Sequence, residues 1–347
     1  MRTPLHFTSQ QALLVQSMRA FVSSEIQPIA ATLQRGARAH PQLLELLESL
    51  AEFGLPGGAV ATELGGMGLD WTSLAHLFEE LARGSDELAE IALANLLTAW
   101  LLASRDTSRD GYLADLLEGR CIVGFALDHQ GLSTTVQRGG FLLDGTVEQV
   151  RGAAWADLLI CSANNGNGGQ SCFLLDRHAD RIDISHSHSS GSASAPLSNL
   201  QVTQTFLTEE RWLGDATTIA RLHDLRKLFK GMNCVAKAQQ VLDHVVEQTR
   251  EHTTGNIQPL LALHLAEMAT AVSAARQMIV ASLQRLDEGQ ASRTEIQMAS
   301  LLSARTLAKI DQLAARIDPS HRSIAMTLDQ SEHDADAQAI TRALFQA

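Results

Sequence analysis

No cluster of lysine and arginine interrupts this sequence, and its formal net charge of -12 and pI near 5.5 argue against a nucleic-acid or anionic-membrane partner, because both require concentrated positive charge. No apolar run reaches the roughly 18 residues that a membrane span needs. The opening MRTPLHFTSQQALLVQSMRAFV has a helical spacing, not that of a signal peptide, so the expected location is cytoplasmic. The four cysteines, Cys121, Cys161, Cys172 and Cys234, lack the close pairing of zinc sites and redox dithiols, and buried free thiols are expected. His186 and His188 lie in SHSHSSGSASA with no acidic or thiol neighbour, which favours a mobile loop and no metal. Aromatic residues are also scarce, at 4% with a single tyrosine, but 347 residues that are 45% hydrophobic can bury a sizeable core in one to three domains.

Three zones differ in hydrophobic period. Residues 1–118 read as helical: Leu74, Leu77, Phe78 and Leu81 form one apolar stripe, with Glu79 and Arg83 on an opposite, solvated face. Residues 119–216 contain the short runs CIVGFAL, GFLLDGTVEQV, DLLICSA, SCFLLD and LQVTQTFL between Gly, Asn and Ser. With no helical pattern between them, hairpins in an antiparallel barrel or sandwich are favoured over a parallel nucleotide-binding sheet, and a small open sheet against helices is the alternative. Residues 217–347 return to helix, with stripes Leu261, Leu265, Met268, Val272, Ala275, Ile279 and Leu307, Ile310, Ala314, Ile317 that predict a bundle. Pro319 and the short runs after it predict an irregular or broken-helix tail.

The stretch VATELGGMGLDWTSLAHLFEELARG places Gly65, Gly66 and Gly68 just before a helix that Asp70 or Thr72 can cap. Amides at a helix start suit phosphate, yet glycines also supply the backbone angles of a tight turn between packed helices, and the turn is the stronger reading.

The order of helical domain, small β domain and helix bundle resembles the acyl-CoA dehydrogenase family, an α+β fold. GLPGGAVATELGGMGLDWTSLAHLFEELARG is similar to that family's Glu-Glu-Tyr-Gly-Gly-Leu-Gly-Leu stretch and the helix with Glu-Glu-Leu-Ala-Arg that follows it. LDGTVEQVRGAAWADLLICSA looks like its Asn-Gly-x-Lys-x-Trp-Ile-Thr-Asn-Gly segment, and FLTEERWLGDA like the exit from the β domain. TREHTTGNIQPLLALHLAEMATAVSAARQM is similar to its Arg-x-x-Phe-Gly-x-x-Ile turn and Leu-Ala-x-Met. The resemblance spans about residues 7–345 and implies that the glycine corner is a turn near the acyl pocket.

The resemblance also implies a chemistry, in which a carboxylate removes the α-proton of an acyl thioester while the β-hydrogen leaves as hydride to FAD. Anchored on AITRALF, the family's Tyr-Glu-Gly-Thr base segment falls on LDQSE and puts Gln330 where the Glu belongs, and an amide is no general base. Asp329 and Glu332 are close substitutes but point elsewhere on a helix or turn, and the solvated reading is favoured, with Glu332 the weak candidate. Asp224, Asp243 and Glu247 of the earlier bundle helix match no base position. The flavin-contacting Thr-Glu-Pro-Gly-Ala-Gly-Ser-Asp loop is reduced to DHQGLSTT, Asp128 to Thr135, leaving Ser133 as the cofactor-side hydroxyl. Trp-Ile-Thr becomes Gln149, Val150 and Arg151, and the Gln-Ile-His-Gly-Gly loop keeps Gln312 but replaces the rest with Leu313, Ala314, Ala315 and Arg316. Arg250 matches the arginine that reaches a neighbouring subunit's FAD pyrophosphate, while a helix-terminal surface role fits it equally well.

These losses predict the partner chain of a heteromeric, FAD-dependent acyl-CoA dehydrogenase. A paralogous subunit would supply the base and most of the flavin pocket, the assembly would be a dimer or tetramer, and the acyl-CoA would be bulky, of the steroid side-chain type. A self-sufficient flavoenzyme with a relocated base, and a cofactor-free scaffold or thioester-binding protein, are the alternatives.

Overall fold

The computed structural model describes residues 9–30, 40–105, 111–127, 131–166, 168–186, 197–252, 258–318 and 330–346. The first helices are α1 (Ser9–Phe21), α2 (His40–Glu52), α3 (Trp71–Gly84), α4 (Asp86–Ala103) and α5 (Tyr112–Leu117). Strands follow as β1 (Val123–Ala126), β2 (Leu132–Gln137), β3 (Gly140–Arg151), β4 (Leu158–Asn164), β5 (Gln170–Asp176), β6 (Ile182–His186), β7 (Leu197–Thr208) and β8 (Trp212–Asp215). The chain then returns to helix in α6 (Ala216–His252), α7 (Pro259–Asp287), α8 (Arg293–Ile317) and α9 (Gln330–Gln346). It divides into a bundle unit, Met1–Val22, Asp70–Gly84 and Asp224–Ala347, and a sheet unit, Ser23–Leu69 and Ser85–His223.

In the bundle unit, local sequence sets where helices begin. The Asp70 carboxylate accepts the Ser73 N–H at 2.6 Å and caps α3, and Ser292 with Glu295 forms a complete capping box on α8. Pro259, which has no N–H to leave unpaired, opens α7. Leu74, Leu77, Phe78 and Leu81 are buried as their spacing requires, and the Phe229 ring of α6 meets Phe78 and Trp71 edge-on at 5.1 and 6.2 Å. At Gly231 a Cβ would lie 3.1 Å from Ile279 and 3.4 Å from Ser303, so glycine lets α6, α7 and α8 approach closely. The solvated face expected for α3 is absent, because His76, Glu79 and Glu80 are buried with the apolar stripe. The tail is also more regular than its sequence suggests. Residues 319–329 lie outside the described residues, but from Gln330 the chain is one continuous helix.

The sheet unit is built on one eight-stranded sheet in the order β6-β7-β3-β2-β4-β5-β8, with β1 added on β4. Most pairings are antiparallel, as expected, but β1 runs parallel to β4 and Ser133 pairs in parallel with Asn164. The β2–β3 hairpin intervenes between β1 and β4, so the chain re-enters beside β1 in the same direction. β4 accordingly reads LLICSA with every residue buried, the near-continuous run of a strand covered on both faces. The apolar runs of the sequence do not mark β2, β6 and β8, because β2 and β6 carry mostly polar residues and β8 is only four residues long. Leu143, Val147, Val150, Leu159, Phe173, Leu200 and Val202 form the core, and Asn95 of α4 ties the helix to β1 through Cys121 O at 2.8 Å and Val123 N–H at 3.0 Å.

The glycine corner belongs to the sheet unit and is a turn. The N–H groups of Gly66, Met67, Gly68 and Leu69 donate to Ala61, Gly57, Val60 and Gly58 carbonyls at 2.8–3.1 Å, so no set of free amides faces outward for phosphate. A Cβ at Gly66 would sit 2.1 Å from Val60 O, which requires glycine there.

Candidate functional site

Buried charged side chains of α3 and α7 form a paired network. Arg276 of α7 (Nε and Nη2) grips the Glu79 carboxylate at 2.7–3.2 Å and donates to Gln239 at 2.9 Å, and His76 Nδ1 lies 3.8 Å from Glu79. Burial alone would push the Glu79 carboxyl up, but the neighbouring His76 and the Arg276 guanidinium outweigh it and hold the carboxyl at about 2. For the adjacent Glu80 the balance reverses, and burial raises it despite bonds from Arg19 at 2.6 and 3.1 Å. Arg83 bridges Glu80 at 3.9 Å and Asp243 at 2.7 Å, and Asp243 also accepts from Gln239 at 2.9 Å. Carboxylates this tightly paired hold helices together.

The predicted site residues are spread over both units. Gln330 is the first residue of α9 and Glu332 follows in its first turn, with both side chains outside the described residues. Arg250 is exposed near the end of α6, and Gln312 is exposed on α8, and no hydrogen bond or ion pair among the described residues joins them. Ser133 belongs to the other unit, in strand β2 and not in a loop, and its hydroxyl donates to Asp144 O at 3.2 Å. Asp128 lies outside the described residues. Asp224 faces Arg293 at 3.6 Å, and burial raises its carboxyl.

Sequence reasoning missed Asp336. It is 1% exposed and ion-paired to Lys227 of α6, and its second carboxylate oxygen is buried with no partner among the described residues. The available signal was an acid on the helix stripe Asp336, Ala339, Ile340 and Ala343, at i, i+3, i+4 and i+7.

Two of the stretches aligned with FAD contacts, Gln312–Arg316 and Gln149–Arg151, do not have the form that the family's contacts require. α8 runs unbroken through Gln312, Leu313, Ala314, Ala315 and Arg316, with Leu313 and Ala314 buried. Its amides are engaged in the helix and its Cβ atoms cover the backbone, so no glycine cradle can receive an adenylate there. At the position of the family's Trp-Ile-Thr, β3 bulges between Val147 and Val150. Gln149 there takes φ +57° and donates its N–H to Asn199 Oδ1 at 3.1 Å. Gln149 and Arg151 are exposed polar residues where an aromatic would stack. Among the described residues no group of three or more His, Cys, Asp or Glu is placed to hold a metal, and no helix is long and apolar enough to cross a membrane.

Comparison with known proteins gives a consistent picture. Residues 8–120 match the acyl-CoA dehydrogenase N-terminal domain family and residues 216–317 the C-terminal domain family. A 3-(aryl)acrylate reductase of Clostridium sporogenes is 24% identical over 340 residues, covering 90% of this chain and 89% of the relative. Among solved structures, PigA with FAD and proline superposes with a TM-score of 0.82 at 19% identity, over 99% of both chains. The ChsE4-ChsE5 complex of Mycobacterium tuberculosis gives a TM-score of 0.82 at 18% identity, over 99% of this chain and 100% of that one.

Proposed function

Because this chain belongs to the acyl-CoA dehydrogenase family as a divergent member, we propose that it is the partner chain of a heteromeric, FAD-dependent acyl-CoA dehydrogenase. The reaction is α,β-desaturation of an acyl-CoA thioester, with the base and most of the flavin pocket contributed by a paralogous subunit. The observation that carries this reading is the unbroken α8 at Gln312–Arg316, where the family resemblance calls for a Gly-Gly loop. Gln330 at the position of the base, and Gln149 in place of an aromatic, support it from separate parts of the chain. One fold neighbour is itself a complex of two differently named chains. We assign the acyl group to the bulky steroid side-chain type on family resemblance alone. FAD is shared with the partner or held by it, and Arg250 is this chain's contribution to the cofactor.

The test is a visible absorption spectrum of the chain purified alone and again after co-expression with a full-motif paralogue. The expected result is no flavin bands alone, and flavin with dehydrogenase activity in the co-purified complex. Near one flavin per chain in the isolated protein would overturn the partner reading in favour of a self-sufficient enzyme with a relocated base. Absence of flavin under both conditions, with no stable complex, would favour a cofactor-free scaffold.

A further inference from the structure

We propose that α9 is a latched helix, seated on the bundle by the buried Asp336–Lys227 ion pair and released when that pair is broken, while α7 and α8 stay folded. The inference does not depend on the functional reading above.

Among the described side chains, little apolar surface seats α9 on α8. Among its described side chains, Asp334 to Phe345, only Asp336 is buried; Ala339, Ile340 and Ala343 on the same face are half-buried. Its large terminal residues point outward, with Leu344 67% and Phe345 87% exposed. The neighbouring α8, by contrast, buries Ile296, Ala299, Leu307, Ile310, Leu313 and Ala314. A helix attached through so little apolar surface gains little from the hydrophobic effect, so its seating depends on the polar contact.

That contact cannot lose a member without cost. One Asp336 oxygen receives Lys227 Nζ, and the other is buried with no partner among the described residues, so removing the lysine leaves an uncompensated buried charge. Lys227 retains some solvent access, with its side chain 20% exposed, and Asp224 lies one helical turn before it. Once Asp336 swings out, each charge can find water or a neighbour, and release of α9 becomes the cheapest response to a broken pair. α9 opens at Gln330, so release moves the position aligned with the family's base.

Hydrogen exchange of the full chain in its native oligomer, read by mass spectrometry, tests the latch. Lys227→Met is expected to speed exchange across Asp334–Phe345 by about tenfold or more, with α7 and α8 unchanged. Asp336→Asn, which keeps the shape and removes the charge, is expected to do the same. The double variant Lys227→Met/Asp336→Leu replaces the pair with apolar side chains and restores protection to within about twofold of wild type. Unchanged exchange in α9 of the single variants would overturn the proposal, because something other than the pair would then hold the helix. Acceleration spread equally through α7 and α8 would overturn it as well, because the pair would then belong to the bundle core.

Discussion

Glu79 and Glu80 are neighbours on α3, yet their surroundings push their protons in opposite directions. Both are desolvated and both accept a forked guanidinium; Glu79 has His76 beside it as well and its Arg276 is buried, whereas the Arg19 that serves Glu80 is half exposed, and burial prevails there. A carboxyl held at about 2 in the folded state and near 4.5 unfolded stabilises fully above 4.5, and that contribution is lost as pH falls through the folded value. Glu80 has the opposite sign: its raised folded pKa favours the folded state at low pH, and that advantage is lost as pH rises. The two are separated by comparing urea unfolding of wild type and Glu79→Gln from pH 7 to pH 3. The wild-type advantage is expected to shrink by an amount on the order of 3 kcal/mol as pH falls from about 4.5 toward 2, a large part of it by pH 3. A difference that stays constant with pH would mean Glu79 is not charged and paired as described.

At the scale of the element, α8 bears most on function. A loop that admits a phosphate must leave amides unbonded and lack Cβ atoms, and α8 meets neither condition between Gln312 and Arg316. Reinstating glycine is expected to damage the helix without creating a loop. Ala314→Gly/Ala315→Gly should lower stability by about 1 kcal/mol per site, with more at the buried Ala314, as measured by chemical denaturation. A variant of undiminished stability would show that this stretch is not helical in solution. The same reasoning covers the glycine corner at Gly65–Gly68, where the backbone makes the opposite choice: its amides are bonded inside a turn, and Gly66 is required because Val60 O occupies the space of its Cβ.

On the scale of the whole molecule, the family fold persists although residues of its flavin motifs differ, which is possible because the two are held by different forces. Core stripes such as Met268, Val272, Ala275 and Ile279 tolerate wide sequence change if they stay apolar, whereas a flavin contact is one residue in one conformation. Arg250 is the test case, being exposed and outside every ion pair among the described residues. Arg250→Ala should therefore change the stability of the chain alone by no more than about 0.5 kcal/mol. In a co-purified complex the same variant should lower flavin occupancy several-fold, read from the flavin-to-protein absorbance ratio. Full occupancy in the variant complex would return Arg250 to a surface role.

The sequence by itself determined whatever rests on local interactions. The order of helical, strand and helical segments followed from period, the start of α3 from Asp70, and the choice of turn over phosphate cradle from three glycines before a capped helix. Each involves groups within a few residues, where spacing alone says what can meet. The altered family motifs were equally legible, since a missing Gly-Gly or Glu is a matter of residue type. Only the tertiary structure decided what depends on distant partners. The parallel seating of β1 on β4 came from the hairpin between them, and the burial of Glu79 depended on Arg276, 197 residues away. Asp336 became an interior residue because Lys227, 109 residues earlier, lies opposite it. A charged side chain is buried only where a counter-charge compensates for lost hydration, and no local pattern records which remote segment brings that counter-charge.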